Sequence, residues 1–141
     1  MKKILVAVLF SLVIFPAYSQ SKNQHVYPQD LTQKSQAESS KIKSAPSCLI
    51  KISNDSHDDV LVYGMFDDGT PLEPFIIYAY ENPHYISLFY YNFCHAGMDI
   101  GIDTLSGLHL YHDYTWVNSR LRIVSGWFKP YLVMEAKGPR A

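Results

Sequence analysis

Residues 48–53 have the sequence Cys-Leu-Ile-Lys-Ile-Ser, which is the first predicted strand of the chain. Cys48, Ile50 and Ile52 occupy every second position. Successive side chains of an extended strand point to opposite faces, so this period predicts a β-strand with one buried face. Composition also changes here, because Ile, Val, Tyr and Phe become frequent from Cys48 onward. The folded domain is therefore predicted to begin at Cys48.

Further segments of the same kind follow, separated by short clusters of Asp, Gly, Pro and Asn. Together with 48–53, the predicted strands are 60–66, 75–80, 85–94, 98–103, 108–117, 120–124 and 131–137. Many short strands at this spacing predict an all-β domain. We expect a small antiparallel β-sandwich with the early strands in simple up-and-down order, and a small β-barrel is the alternative.

Two of these segments have a predicted place in a sheet. Pro71 and Pro74 cannot donate ladder hydrogen bonds, which places the start of the 75–80 strand at a sheet edge. The 85–94 segment is apolar at nearly every position, which indicates a central strand covered on both faces.

The first nineteen residues have the three parts of a secretory signal peptide. Lys2 and Lys3 form a positive start, residues 4–15 are almost wholly apolar, and Ala17-Tyr18-Ser19 supplies a small-residue cleavage site. The apolar run is shorter than the roughly 20 residues that cross a bilayer. We therefore expect cleavage after Ser19, no transmembrane segment in the mature chain, and a periplasmic or extracellular location.

The remaining chain divides by composition into a polar tail (20–47), the β-domain (48–137) and a short C-terminal tail (138–141). Residues 20–47 are rich in Gln, Ser and Lys, and such a segment buries too little apolar surface to offset its ordering entropy. We therefore predict a disordered tail. From residue 48 onward, six Lys and Arg residues stand against eleven Asp and Glu residues, which argues against a nucleic-acid partner.

Cys48 and Cys94 are the only two cysteines of the chain. In the up-and-down arrangement, the start of the 48–53 strand and the end of the 85–94 strand lie at the same end of the sheet. An exported chain with one cysteine pair normally oxidises it, so the sequence predicts a Cys48–Cys94 disulfide.

Two polar clusters are weak candidates for chemistry. His109, His112 and Asp113 resemble a metal or hydrolase site on paper, but on a regular strand His109 and His112 face opposite sides while Asp113 shares a face with His109. Asp55, Asp58 and Asp59 are candidate calcium ligands, because their loop is expected to share one end of the sandwich with the 81–84 turn and the 103–107 loop. No other cofactor is expected.

Aromatic residues give the strongest indication of function. Trp127 and Phe128 stand in a turn-forming segment, Ser125-Gly126-Trp127-Phe128-Lys129-Pro130, which is followed by Tyr131. Tyrosine and tryptophan are favoured at recognition surfaces. Since no catalytic motif is present, we expect a non-enzymatic domain that uses these residues to bind a protein, peptide or glycan. The alternatives are a small hydrolase or metal-dependent enzyme near His109, and a structural protein of the cell envelope.

Overall fold

The computed structural model of the 141-residue chain describes residues 23–28 and 48–136. Within these ranges the chain forms eleven β-strands. The strands are β1 Gln24–His25, β2 Leu49–Asp55, β3 Val60–Phe66, β4 Pro71–Ile77, β5 His84–Ser87, β6 Phe89–Tyr90, β7 Phe93–Cys94, β8 Gly97–Thr104, β9 His109–Trp116, β10 Arg120–Val124 and β11 Tyr131–Ala136.

Two sheets enclose one hydrophobic core. Sheet I has the strand order β1-β5-β2-β10-β11 and sheet II the order β4-β3-β8-β9, while β6 and β7 form a separate small hairpin. Every second residue of the inner strands is buried, which is the period expected for a sheet with one covered face. The buried apolar residues include Ile50, Ile52, Val60, Val62, Ile100, Ile102, Leu121 and Ile123. The all-β sandwich is confirmed, and because the sheets are not closed, the barrel alternative is wrong.

The strand order is less regular than the predicted up-and-down arrangement. After β2 the chain crosses to sheet II for β3 and β4 and returns as β5, so β2 and β3 are not neighbours. Strand β10 then pairs with β2 in parallel, and β1 pairs with β5 in parallel. The alternation predicts which residues face the core, but it carries no information about which strands pair.

The predicted single strand over 85–94 is wrong. It divides into β5, β6 and β7, and a tight turn separates the last two because Tyr91 and Asn92 both have positive φ angles, 52° and 63°. Asparagine tolerates this conformation better than most residues, and two such residues in a row form the turn that suits a two-residue hairpin. The edge position predicted from the prolines is confirmed, although β4 begins at Pro71 and includes both of them.

The predicted disulfide between Cys48 and Cys94 is confirmed, with 5.8 Å between the two Cα atoms. Its geometric origin differs from the expectation. The Leu88 N–H donates to the Cys48 carbonyl, and the β6–β7 turn brings Cys94 back opposite Phe89. The bridge therefore joins the start of β2 to the small hairpin.

The prediction of a disordered 20–47 tail is wrong for residues 23–28. These residues supply β1 at the edge of sheet I, and the Tyr27 side chain is buried in the core. A polar segment cannot form a core of its own, but it can add to an existing sheet edge and bury one large side chain. The signal peptide, the rest of the tail and residues 137–141 lie outside the described residues. Across 23–28 and 48–136, no helix is long and apolar enough to cross a membrane.

Candidate functional site

Four connecting loops meet at one end of the sandwich, which we call the loop end: residues 56–59, 78–83, 105–108 and 125–130. Strand register brings them together, because Val60 pairs with both Ile77 and Thr104, and Asp55 pairs with Val124. The Leu105 N–H donates to the Asp59 carbonyl at 3.1 Å. The predicted proximity of the acidic loop to the 81–84 turn and the 103–107 loop is thus confirmed.

The first of these loops is held in place by Asn54, a fully buried polar residue near the end of β2. Its side-chain nitrogen donates to the Asp58 carbonyl at 2.7 Å and to the Ile77 carbonyl at 3.0 Å. Its side-chain oxygen accepts from the Ser56 backbone N–H and hydroxyl. Asn54 of sheet I therefore bonds backbone groups of the 56–59 loop and of β4 in sheet II, and so holds the first loop against the second sheet.

The second loop presents Tyr80 in a conformation that an aromatic residue seldom adopts. Its φ angle is 58°, in the left-handed region that costs energy for side chains with a Cβ. The turn is closed by the Glu81 N–H, which donates to the Tyr78 carbonyl at 3.1 Å. The Tyr80 hydroxyl lies 2.8 Å from Nδ1 of His57. The unusual backbone thus keeps an exposed tyrosine in contact with the neighbouring loop.

The fourth loop is tied to the first, because the His57 N–H donates to the Ser125 hydroxyl at 3.1 Å. The Gly126 N–H donates across the loop to the Lys129 carbonyl at 3.1 Å. A Cβ atom at Gly126 would lie 2.4 Å from that carbonyl oxygen and 3.2 Å from the Tyr131 ring, so this position needs glycine. The Tyr131 ring therefore lies against Gly126.

Trp127 and Phe128 stand at the tip of this closed turn, and both side chains are fully exposed (100% and 102%). Single exposed apolar residues are ordinary, but an adjacent pair of large aromatics without protein contact is not. Six of the eleven exposed large apolar residues of the described chain belong to the loop end or its border: Tyr78, Tyr80, Leu105, Trp127, Phe128 and Tyr131.

The three predicted calcium ligands do not converge. The Asp55 carboxylate accepts from Arg122 Nε at 2.6 Å, and the Asp59 carboxylate accepts from the Ala79 N–H at 2.9 Å. The described part of the chain contains no group of three or more His, Cys, Asp or Glu side chains placed to hold a metal ion. Asp55 instead bonds the neighbouring strand β10, and Asp59 bonds the 78–83 loop.

The face prediction for His109, His112 and Asp113 is wrong. The register shifts between Ile102 and Asp103 of β8, so the β9 bulge leaves Leu110 without a partner and reverses the alternation beyond it. His109 and His112 consequently share the outer face of sheet II, with ring centroids 6.0 Å apart. Asp113 pairs with the core residue Ile100 and lies on the other face.

The carboxylate that lies on that outer face with the two histidines is Asp103, not Asp113. Asp103 lies 2.7 Å from His109 Nδ1, and the Tyr63 ring reaches His112 at a centroid distance of 6.1 Å. The Tyr63 ring lies directly over Gly101, where a Cβ atom would come within 2.3 Å of it. Burial, followed by the charge of Asp103, raises the pKa of Tyr63. This cluster is a packed patch on an exposed sheet face.

No family model, curated protein or solved structure matches the chain. The sequence did not identify His57 and Tyr80 as residues of the loop end, and it did not identify Tyr27 as a core residue. Tyr27 is the only aromatic residue of the polar tail. That isolation in a polar segment was the available signal.

Proposed function

We propose that this chain is an exported, non-enzymatic binding domain that holds a protein, peptide or glycan at the loop end. The observation that carries the proposal is the full exposure of Trp127 and Phe128 at the tip of a closed turn. An ordered loop loses little entropy on binding, and aromatic anchors supply much of the energy at interfaces. Folding alone gives no reason to keep two large apolar side chains in water.

Export is the second part of the proposal. The disulfide is compatible with an oxidising compartment, and the N-terminal pattern of Lys2, Lys3 and residues 4–15 is typical of a signal peptide. Periplasmic and extracellular locations are both consistent with these features.

The enzyme alternative receives less support from the geometry. Its three proposed residues are divided between two faces of β9, and the cluster that does form around His109 lies on an open sheet face. Active sites are usually concave, because they must exclude water and surround the reacting group.

Affinity capture with a matched control tests the proposal. Mature protein is immobilised as wild type, Trp127→Ala and Trp116→Ala, the last being the other tryptophan of the chain, at the opposite end of the sandwich. We expect a partner from the native extract to bind wild type and Trp116→Ala, and to bind Trp127→Ala about 30-fold more weakly. Equal capture by all three folded proteins would contradict a recognition role for the loop end.

A further inference from the structure

The six-residue segment 23–28 lies along the open side of the sandwich, where the edges of the two sheets face each other. It adds β1 to sheet I in parallel with β5, pairing Gln24 with Tyr85 and His25 with Ile86. The Tyr85 N–H also donates to the Asn23 carbonyl at 2.8 Å. The backbone contacts are therefore few, and side chains must supply most of the attachment.

Tyr27 is the buried side chain of the segment. Its ring stacks on Tyr90 with 4.4 Å between centroids and meets the edge of Phe66 at 5.1 Å. Its hydroxyl donates to the Asp68 carboxylate at 2.5 Å and lies 2.9 Å from the Thr70 hydroxyl. The domain thus provides a socket with an apolar wall and a polar floor, which is the chemistry that recognises a tyrosine.

His25, the last residue of β1, occupies a second position in the same groove. Its ring stacks on Phe75 with 3.4 Å between centroids, and its Nε2 lies 2.8 Å from Nδ1 of His84. His84 is almost completely buried, and its Nε2 lies 3.3 Å from the Glu81 carboxylate. A hydrogen bond between two imidazoles requires one donor and one acceptor, so the facing nitrogens can share only one proton.

We propose that this groove, lined by Phe66, Phe75, His84 and Tyr90, is a peptide-binding site for an extended His-x-Tyr segment, and that residues 23–28 are a ligand which acidification releases. All groove residues belong to the disulfide-linked domain. Apart from the contacts just described, the segment is joined to that domain by the covalent chain through residues 29–47. The groove does not include Trp127, although it borders the loop end at Glu81, and peptide binding there is distinct from the function proposed for the loop end.

The direction of the pH effect follows from the docked geometry. Burial, with a smaller contribution from the charge of His84, lowers the pKa of His25 from 6.5 to about 4. Docking thus favours the neutral imidazole: attachment is at full strength above about pH 6.5 and weakens as the pH falls toward 4. The hydrogen bond from Tyr27 lowers the pKa of Asp68 below its ordinary 3.8, so that group weakens docking only at still lower pH. Glu81 is the remaining charged group beside the imidazole pair.

The test uses the mature chain with a protease cleavage sequence inserted between Ala37 and Glu38. After cleavage, the affinity of the fluorescently labelled N-terminal fragment for the disulfide-intact domain is measured by anisotropy at about pH 7.5 and about pH 5. We expect binding at the higher pH and up to about 30-fold weaker binding at the lower one, as a single proton with these two pKa values requires.

Variants of the fragment separate the two parts of the proposal. Tyr27→Ala should abolish binding at both pH values, and the exposed Gln24→Ala should bind like the parent. His25→Phe should bind with little difference between the two pH values. Release of the parent fragment from a folded domain at pH 7.5 would overturn the site, and equal affinity at both pH values would overturn the acid release. If the emptied domain unfolds, recovery of its near-ultraviolet circular dichroism on adding the synthetic peptide 20–28 supports the site, and no recovery contradicts it.

Discussion

At the scale of single residues, exposure separates side chains that serve the fold from those that do not. The side chains of Ile50 and Tyr27 are buried, while those of Trp127 and Phe128 are fully exposed. Truncating a core aromatic costs about 3–5 kcal/mol, whereas surface substitutions usually stay within about 0.5 kcal/mol.

Trp127→Ala is accordingly expected to leave the free energy of unfolding unchanged within about 0.5 kcal/mol, because the side chain is fully exposed. Urea unfolding followed by circular dichroism measures this difference. Tyr27→Ala, which empties a buried socket, serves as the positive control and should lose several times more. A loss of about 2 kcal/mol or more in Trp127→Ala would mean that this residue packs against the loop end.

Asn54→Ala should destabilise the domain by about 2–3 kcal/mol, because it leaves buried backbone groups of the loop end without hydrogen-bond partners. The exposed Asn82→Ala is the matched control and should change stability little. Thermal unfolding of both variants makes the comparison. Equal melting temperatures would show that Asn54 does not hold the loop end.

At the scale of elements, the sequence predicts strands well and their irregularities poorly. Strands β3 and β10 occur at the predicted residues, because alternation depends only on local burial. The bulge at Leu110 is a single unpaired residue that a period of two cannot reveal, and it moved His112 onto the face of His109. The break within 85–94 escaped detection because continuous apolar residues suit a buried strand as well as a hairpin.

The disulfide is an element-scale constraint with a measurable effect. Cys48 and Cys94 are 46 residues apart, and closing a loop of that length contributes about 4 kcal/mol in the chain-entropy model. The Cys48→Ser, Cys94→Ser double variant should lose about that much stability in urea unfolding. Mass spectrometry of the unreduced parent should show one bridge, and two thiols that alkylate in the folded parent would exclude it.

At the scale of the whole molecule, composition defined where the domain begins but misjudged what completes it. A polar tail buries too little apolar surface to form a core of its own, yet residues 23–28 complete a sheet whose other strands lie downstream of residue 48. A short strand of this kind is stabilised by the groove that accepts it. The composition of the segment alone therefore cannot predict that it is ordered.

Export is predicted for the chain as a whole. Protein recovered from outside the cytoplasm should begin at or near Gln20, because the small residues Ala17 and Ser19 follow the apolar run. N-terminal sequencing of that material is the measurement. Exported protein that still carries Met1 would contradict the signal-peptide prediction.

We propose that the loop end meets its partner through the aromatic pair Trp127 and Phe128, which is exposed in the free protein. Trp116→Phe leaves Trp127 as the sole tryptophan, so its fluorescence reports on that site alone. We predict full quenching of Trp127 by acrylamide in the free protein, and protection with a blue-shifted emission once the partner retained by affinity capture is added to saturation. Emission already shielded in the free protein, or unchanged quenching at saturation, would contradict the claim.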